Sequence, residues 1–426
     1  MSWRRLMHRK LLLSGLVLCV LPSFLLLVSS VRAESTWSQT YGGAESSESA
    51  WAVIASSEGG YAICGSTAPS GTLSYDFWLV KTDSNGAMEW NRSYGGWGSE
   101  RALSLVATSD GGYALAGEAK PFGSGYPPYY NYTSCLVKTD AVGNFQWNKT
   151  YGKGTTDYVT SLATTLEGGY IMAGRSFLIR TDAFGNTVWN KTYPAVTGWM
   201  FNGKWSVVVT SDGGYALAGH SMADFLLLKT DRFGNMIWNR TYGGTESDYA
   251  NSLIATSDGG YAMAGVWNIT DYSRSGGTEA DFYMVKTDGS GNMQWNKTYG
   301  ITGINYANSL VETSDGGYVL AGYTYSTAGK GDCLVIGTDS FGNMLWNRTL
   351  GGAESDSGQS LVAAADGGLV IAGSTNSFDA GSGDFWLIKT DEFGVVPEFP
   401  SWLTPTLILS TTGFFAARKK RVLRLH

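Results

Sequence analysis

The sequence predicts an all-β chain: seven blades of four antiparallel strands, closed into a seven-bladed β-propeller. Three observations carry that prediction. A unit of about fifty residues recurs seven times. Tight-turn residues divide each unit into four short strands. The last unit lacks its fourth strand, and the chain supplies a spare one at its start.

The unit is read off three landmarks. Asp/Glu-Gly-Gly-Tyr begins at Glu58, Asp110, Glu167, Asp212, Asp258, Asp315 and Asp366, with Leu369 in place of Tyr in the last copy. Lys-Thr-Asp, or a relative of it, ends at Asp83, Asp140, Asp182, Asp231, Asp288, Asp339 and Asp391. A Trp-centred strand holds Trp37, Trp90, Trp147, Trp189, Trp238, Trp295 and Trp346. In the fifth unit, Ser252 to Thr256 is a β-prone run, and Asp258-Gly-Gly is a turn tolerant of positive φ. Tyr261 to Gly265 returns. Asp281 to Thr287 forms the third strand, and the Asp288 to Asn292 turn leads into the fourth. The seventh unit stops at Gly394 without a Trp strand, so the segment around Trp37 is expected to complete blade seven and leave no open edge.

Composition agrees. There are 57 Gly, 24 Tyr and 16 Trp with only 15% charged residues, which suits many short strands and excludes a disordered chain. The outer-strand Trp is expected to lie over the adjacent blade, burying on the order of 200 Å².

The ends differ from the body. Four basic residues in 1–10 precede an apolar run at 11–28 and a small residue at Ala33, the order of a secretory signal peptide over 1–33. The propeller is expected over 34–394 and a linker over 395–401. A short C-terminal membrane anchor or sorting helix is expected at 402–417, followed by a basic cytoplasmic tail at 418–426. An extracellular, cell-surface, membrane-anchored location follows. With ten basic residues confined to the ends, the body keeps 20 Lys and Arg against 36 Asp and Glu, a net charge of −16. That excludes nucleic acid as the expected partner.

Two resemblances rest on these motifs. Pro397-Glu-Phe-Pro400 followed by an apolar segment and Arg418-Lys-Lys-Arg421 resembles archaeal surface-sorting signals of the Pro-Glu-Phe type, which implies an archaeal source and an anchored or processed tail. The repeat over about 36–394 is similar to the Asp-Gly-Gly-Tyr repeats of prokaryotic secreted propellers, including delta-60-like repeats. Asp83-x-x-Gly-x-x-x-Trp90 also resembles the docking motif of quinoprotein propellers, from which only a packing role carries over.

Candidate chemistry is sparse. Only His220 lies in the body, where it is expected in a loop, so no Ser-His-Asp or Cys-His site is foreseen. Cys64, Cys135 and Cys333 are odd in number and lack metal spacing; Cys64 and Cys135 are read as core packing residues. The acidic sets Glu45 and Glu48, Glu246 and Asp248, and Glu354 and Asp356 could serve glycoside chemistry. Their recurrence favours a solvated turn, with weak calcium binding the sharper alternative. No catalytic residue, cofactor or metal site is assigned. The strand-one positions Trp51, Trp205, Asn251, Asn308 and Gln359 share one register, expected at the channel mouth.

Individuality lies in the loops between strands two and three. Blade two carries Tyr126, Tyr129, Tyr130 and Tyr132, a candidate partner-binding loop of rigid aromatic area. Of eight Asn-x-Ser/Thr sequons, six are products of the repeat; Asn131 and Asn268, expected in loops, are the candidate glycosylation sites. The expectation is a monomeric ring, not an enzyme. Its loop face acts as a binding, adhesion or envelope structural module toward a glycan or an envelope or surface protein. A carbohydrate-active hydrolase or lyase using loop carboxylates and a calcium-stiffened ring are the alternatives.

Overall fold

The two hairpin turns of each unit set the blade. In the first, Thr108 N–H donates to Gly112 O at 2.9 Å while Gly111 N–H closes back on Thr108 O. In the second, Asp140 Oδ1 accepts the N–H groups of Val142 and Asn144, so the Asp builds its own turn. The same Asp-turn bonds recur at Asp83, Asp182, Asp231, Asp288, Asp339 and Asp391. The computed structural model describes residues 36–69, 72, 74–96, 98–121, 132–155, 158–174, 177–193, 204–221, 224–244, 247–269, 280–301, 303–325, 330–378 and 383–396. The expected signal peptide, most of the linker, the C-terminal helix and the basic tail lie outside these residues.

Strand β1 spans Trp37–Tyr41. Blade one is β2 (Ser46–Ala55), β3 (Tyr61–Pro69), β4 (Asp76–Thr82) and β5 (Met88–Tyr94). Blade two is β6 (Gly98–Ala107), β7 (Tyr113–Pro121), β8 (Tyr132–Thr139) and β9 (Phe145–Thr155). Blade three is β10 (Val159–Thr164), β11 (Tyr170–Gly174), β12 (Phe177–Thr181) and β13 (Thr187–Thr192). Blade four is β14 (Ser206–Val209), β15 (Tyr215–Ser221), β16 (Asp224–Thr230) and β17 (Met236–Tyr242). Blade five is β18 (Ser247–Ala255), β19 (Tyr261–Ile269), β20 (Asp281–Thr287) and β21 (Met293–Tyr299). Blade six is β22 (Ile304–Glu312), β23 (Tyr318–Tyr325), β24 (Gly331–Thr338) and β25 (Met344–Leu350). Blade seven is β26 (Asp356–Ala363), β27 (Leu369–Thr375) and β28 (Asp384–Thr390), with β1 paired antiparallel to β28. Each described sheet has four antiparallel strands in chain order, apart from that one crossover.

Hydrophobic burial lies between blades. Each core cluster mixes residues of two neighbouring sheets, as where Ile171, Ala173 and Leu178 of blade three meet Val207, Leu217 and Leu228 of blade four. Three polar or aromatic devices repeat around these interfaces. The Trp of each outer strand lies on the next blade. Trp238 packs edge-on to Tyr261 at 6.3 Å, and Trp37 tilts over Tyr61 at 6.0 Å. A Tyr four residues on donates its hydroxyl to a glycine carbonyl of the next blade's Asp turn: Tyr41 to Gly86, Tyr151 to Gly185 and Tyr242 to Gly291 at 2.6–2.7 Å. Blade six carries Leu350 there and forgoes that bond. On the inner strands, serine hydroxyls accept backbone N–H groups across the interface, Ser104 from Leu162 and Ser309 from Leu361, each at 3.0 Å. Blade one has Ala52 at this position. β1 places Trp37 and Tyr41 at the seam between blades seven and one, so closure uses the same contacts as the other interfaces.

The Lys of Lys-Thr-Asp is buried beneath the first hairpin. Lys138, Lys229 and Lys286 reach Asp110, Asp212 and Asp258 at 2.8–2.9 Å. With Lys389–Asp366 and Arg180–Glu167, five of the seven units join the two landmarks by an ion pair; in blade one Lys81 turns to Glu89, and blade six has Gly337 there.

Candidate functional site

Of the aromatic loop, Tyr126, Tyr129 and Tyr130 lie outside the described residues, as does Asn131. Tyr132 opens β8, and Asn268 is the penultimate residue of β19 and not in a loop. The structural Trp residues all occupy fourth strands, as expected.

The acidic sets correct the sequence reading. One member of each is buried: Glu48 is 2% exposed, Asp248 fully buried and Asp356 3% exposed. These members are not in solvated turns, because the ring brings each against an Asp at the start of strand three in the preceding blade, while Glu45 and Glu354 are exposed as expected of a solvated turn. Glu48 Oε2 and Asp384 Oδ1 both crowd the space beside Gly42. Asp248 and Asp224 both crowd the space beside Gly243, while Asp356 and Asp332 share the space beside Gly351. At the fifth and sixth blades, Asn305 replaces the acid and donates to Asp281 at 3.3 Å. A Cβ added at Gly243 would lie 2.3 Å from one carboxylate oxygen and 2.7 Å from the other, so only glycine leaves room for this pair.

Burial, the dominant cause, raises the pKa of Glu48, Asp76 and Asp332; the Asp356 charge adds to it at Asp332. Two carboxyl groups brought this close favour a proton on one of them. Asp356 is further held by Ser377 at 2.6 Å, by Gly352 N–H at 2.7 Å and by Thr375. Among the described residues no group of three or more His, Cys, Asp or Glu side chains converges as for a metal. These pairs join blades.

The interface between blades one and two is different. At one position strand three carries Trp78, Phe177, Tyr283 or Trp386, and Leu226 and Leu334 in blades four and six; blade two carries the smallest, Cys135. The smaller side chain opens a cleft of about 550 Å³ lined by Phe77, Tyr94, Glu100, Cys135, Phe145 and Asn148, among others. Ala119 and Thr133, which also line it, lie near the two ends of the blade-two loop. Burial holds the Cys135 thiol up at about 12, so it lines the cleft as an unreactive group. The only sequence signal for this cleft was the size of residue 135.

The bore is lined from the inner strands. In six of the seven, the register skips one residue: Trp51, Leu103, Thr160, Asn251, Asn308 and Gln359. Each is half-buried, and Asn251 and Asn308 donate to carbonyls of the following blade at 2.9 Å. β14 has no such shift. β14 starts at Ser206, just past that position, and Trp205 ahead of it turns into the core between blades three and four, where it is 3% exposed, and not into the bore as its register suggests. Lys204 reaches the bore in its place. His220 is likewise not a loop residue. It lies in β15, buried, with its ring edge-on to Tyr249.

No protein-family model and no protein of curated function matches the chain. Solved structures share its fold. The WD40 domain of Pan2 from Neurospora crassa superposes with a TM-score of 0.51 at 9% identity, covering 82% of this chain and 91% of that one. The extracellular domain assigned to a hybrid two component system of B. thetaiotaomicron gives 0.50 at 10% identity, covering 85% of this chain and 44% of that one. A protein of unknown function from Dyadobacter fermentans gives 0.48 at 12% identity, covering 83% and 97%. At these identities the likeness is one of fold: a seven-bladed β-propeller.

Proposed function

We propose that the ring is an exported, surface-held binding module whose loop face takes a glycan or a glycan-bearing envelope protein, without turnover. The observation that carries this is the cleft between blades one and two. At about 550 Å³ it falls in the size range of small-molecule sites. It combines aromatic surface from Phe77, Tyr94 and Phe145 with the polar groups of Glu100 and Asn148. It also adjoins the stems of the tyrosine-rich loop. Export and anchoring rest on the basic-apolar-small order of residues 1–33 and the apolar and basic segments of 402–426. The extracellular placement of the B. thetaiotaomicron propeller accords with that setting. The buried acid pairs make poor catalysts, since each is enclosed by glycine and neighbouring side chains and the arrangement recurs at several interfaces.

The test is a glycan array probed with the purified protein, alongside an assay for released product. Binding without release is expected, and Cys135→Trp, which fills the cleft as Trp78 fills its own gap, should abolish the binding while leaving the circular dichroism spectrum unchanged. Product release that disappears on Glu246→Gln or Asp248→Asn would overturn the reading in favour of a carbohydrate-active enzyme.

A further inference from the structure

Each blade turns twice on one face of the ring, between strands one and two and between strands three and four; the loops between strands two and three lie on the other face. At the tip of the second turn, Phe184, Phe233, Phe341 and Phe393 stand 52–72% exposed, and Ile237 and Leu345 are exposed beside two of them. Arg232 covers one side of the Phe233 ring at 4.7 Å. The turn does not need these rings. Asp83 and Asp288 build the same turn around Asn85 and Ser290, with the same bond from the N–H of that residue. Apolar groups gathered on one face, where local structure has no use for them, mark an interaction surface.

The ends of the ring point to what that surface meets. Trp37 Nε1 donates to Ser84 O in the blade-one turn at 3.3 Å, and Val395 N–H donates to Asp391 Oδ1 in the blade-seven turn at 2.8 Å. The described chain therefore both enters and leaves the ring on the turn face. After Val396, only residues 397–401 precede the apolar segment 402–417. Fully extended, that stretch spans about 20 Å at most, so a membrane holding 402–417 lies no further than that from the blade-seven turn.

We infer that the turn face rests on the membrane surface, with its phenylalanine tips in the headgroup layer. This rests on the anchoring by 402–426 included in the function proposed above, and it turns the loop face toward the medium. The lipid surface it fits is zwitterionic. Each blade places two acidic residues on this face, Asp315 and Asp339 in blade six, so an anionic surface would repel it. Those carboxylates are already engaged within their turns: Asp339 accepts from Phe341 and Asn343 N–H, and Asp315 from Gly317 N–H. The tips can therefore enter the headgroup layer without stripping a carboxylate of its partners.

The experiment places the full chain, in a Cys19→Ser background, in phosphatidylcholine nanodiscs holding one copy each. An environment-sensitive fluorophore is attached at Ser340→Cys, beside Phe341, or at Tyr325→Cys, at the loop-face end of β23. Cys64, Cys135 and Cys333 are buried, and the parent protein treated with the same dye is the blank. Blue-shifted emission, quenched by nitroxide-bearing lipid, is expected at Ser340→Cys and not at Tyr325→Cys. Phe341→Ser combined with Phe393→Ser should return that emission toward its value in water, and phosphatidylglycerol added to the discs should diminish the shift. A chain that enters the discs with both labels still in water overturns the inference and leaves the anchoring intact. A chain that fails to enter overturns the anchoring and the inference with it. A blue shift seen only in liposomes crowded with many chains assigns the face to a second copy, and also overturns the inference.

Discussion

Replacing Gly291 by Ala tests how the ring is locked. Gly291 has φ +78°, a left-handed conformation that costs an L-residue about 1–2 kcal/mol. Its new Cβ would also lie 2.7 Å from Trp238 Cζ3 and 2.8 Å from Cη2, well inside van der Waals contact. Overpacking of this kind costs about 1–3 kcal/mol, so the total expected loss is about 2–5 kcal/mol. Gly259 provides the control. It has φ +82°, and a Cβ there meets nothing within 4 Å, so Gly259→Ala should show only the backbone cost. Both variants are compared with wild type by thermal unfolding, followed by near-ultraviolet circular dichroism at one scan rate. Each kcal/mol moves the midpoint by about 2–4 °C in chains of 150–250 residues, and by less in a longer one. Trp238→Leu should relieve part of the Gly291→Ala penalty, so the double variant loses less than the two single losses combined. Equal losses at Gly259 and Gly291, with no coupling to Trp238, would refute the claim that the Trp is packed against the next blade's turn.

Tyr242→Phe should cost about 1 kcal/mol by removing the hydroxyl bond to Gly291 O, and Leu350→Tyr should gain a similar amount by completing the one interface that lacks it; denaturant midpoints read both. At the closing seam, Glu48 has a raised pKa, so the folded state holds its proton more tightly than the unfolded chain. Stability from that proton is present at low pH and is lost as pH rises above the ordinary Glu value of about 4.3. Glu48→Gln should therefore raise the melting temperature at pH 8 more than at pH 4, and an equal shift at both would count against the shared proton. Asp110, Asp212 and Asp258 behave oppositely. Burial opposes their charge, but hydrogen bonds from lysine, threonine and glycine outweigh it and hold each at about 2. Their stabilisation is complete above about pH 4 and is lost as pH falls toward 2, so acid unfolding of Lys286→Met should begin at higher pH than that of wild type.

The sequence by itself determined the blade. Asp-Gly-Gly-Tyr and Asp-x-x-Gly-Asn turns act within a few residues, through positive φ and side-chain-to-backbone bonds, so their number and spacing gave seven hairpin pairs before any tertiary contact was known. The missing Trp strand after Asp391 and the spare one at Trp37 likewise announced the closure seen in the β1–β28 pairing. Tertiary structure decided what happens between blades. Glu48 and Asp384 are 336 positions apart in the chain and meet only because the ring closes, so neither residue's local pattern marks it as buried. Trp205 shares the register of the bore-lining Trp51 and Asn251, yet it packs between blades three and four because β14 starts only at Ser206, a property of how two strands pair and not of either strand's composition. The cleft depends on what a neighbouring blade fails to meet at Cys135. Turn chemistry is local and legible; burial, charge pairing and cavity are relations between distant segments, and only the closed ring fixes them.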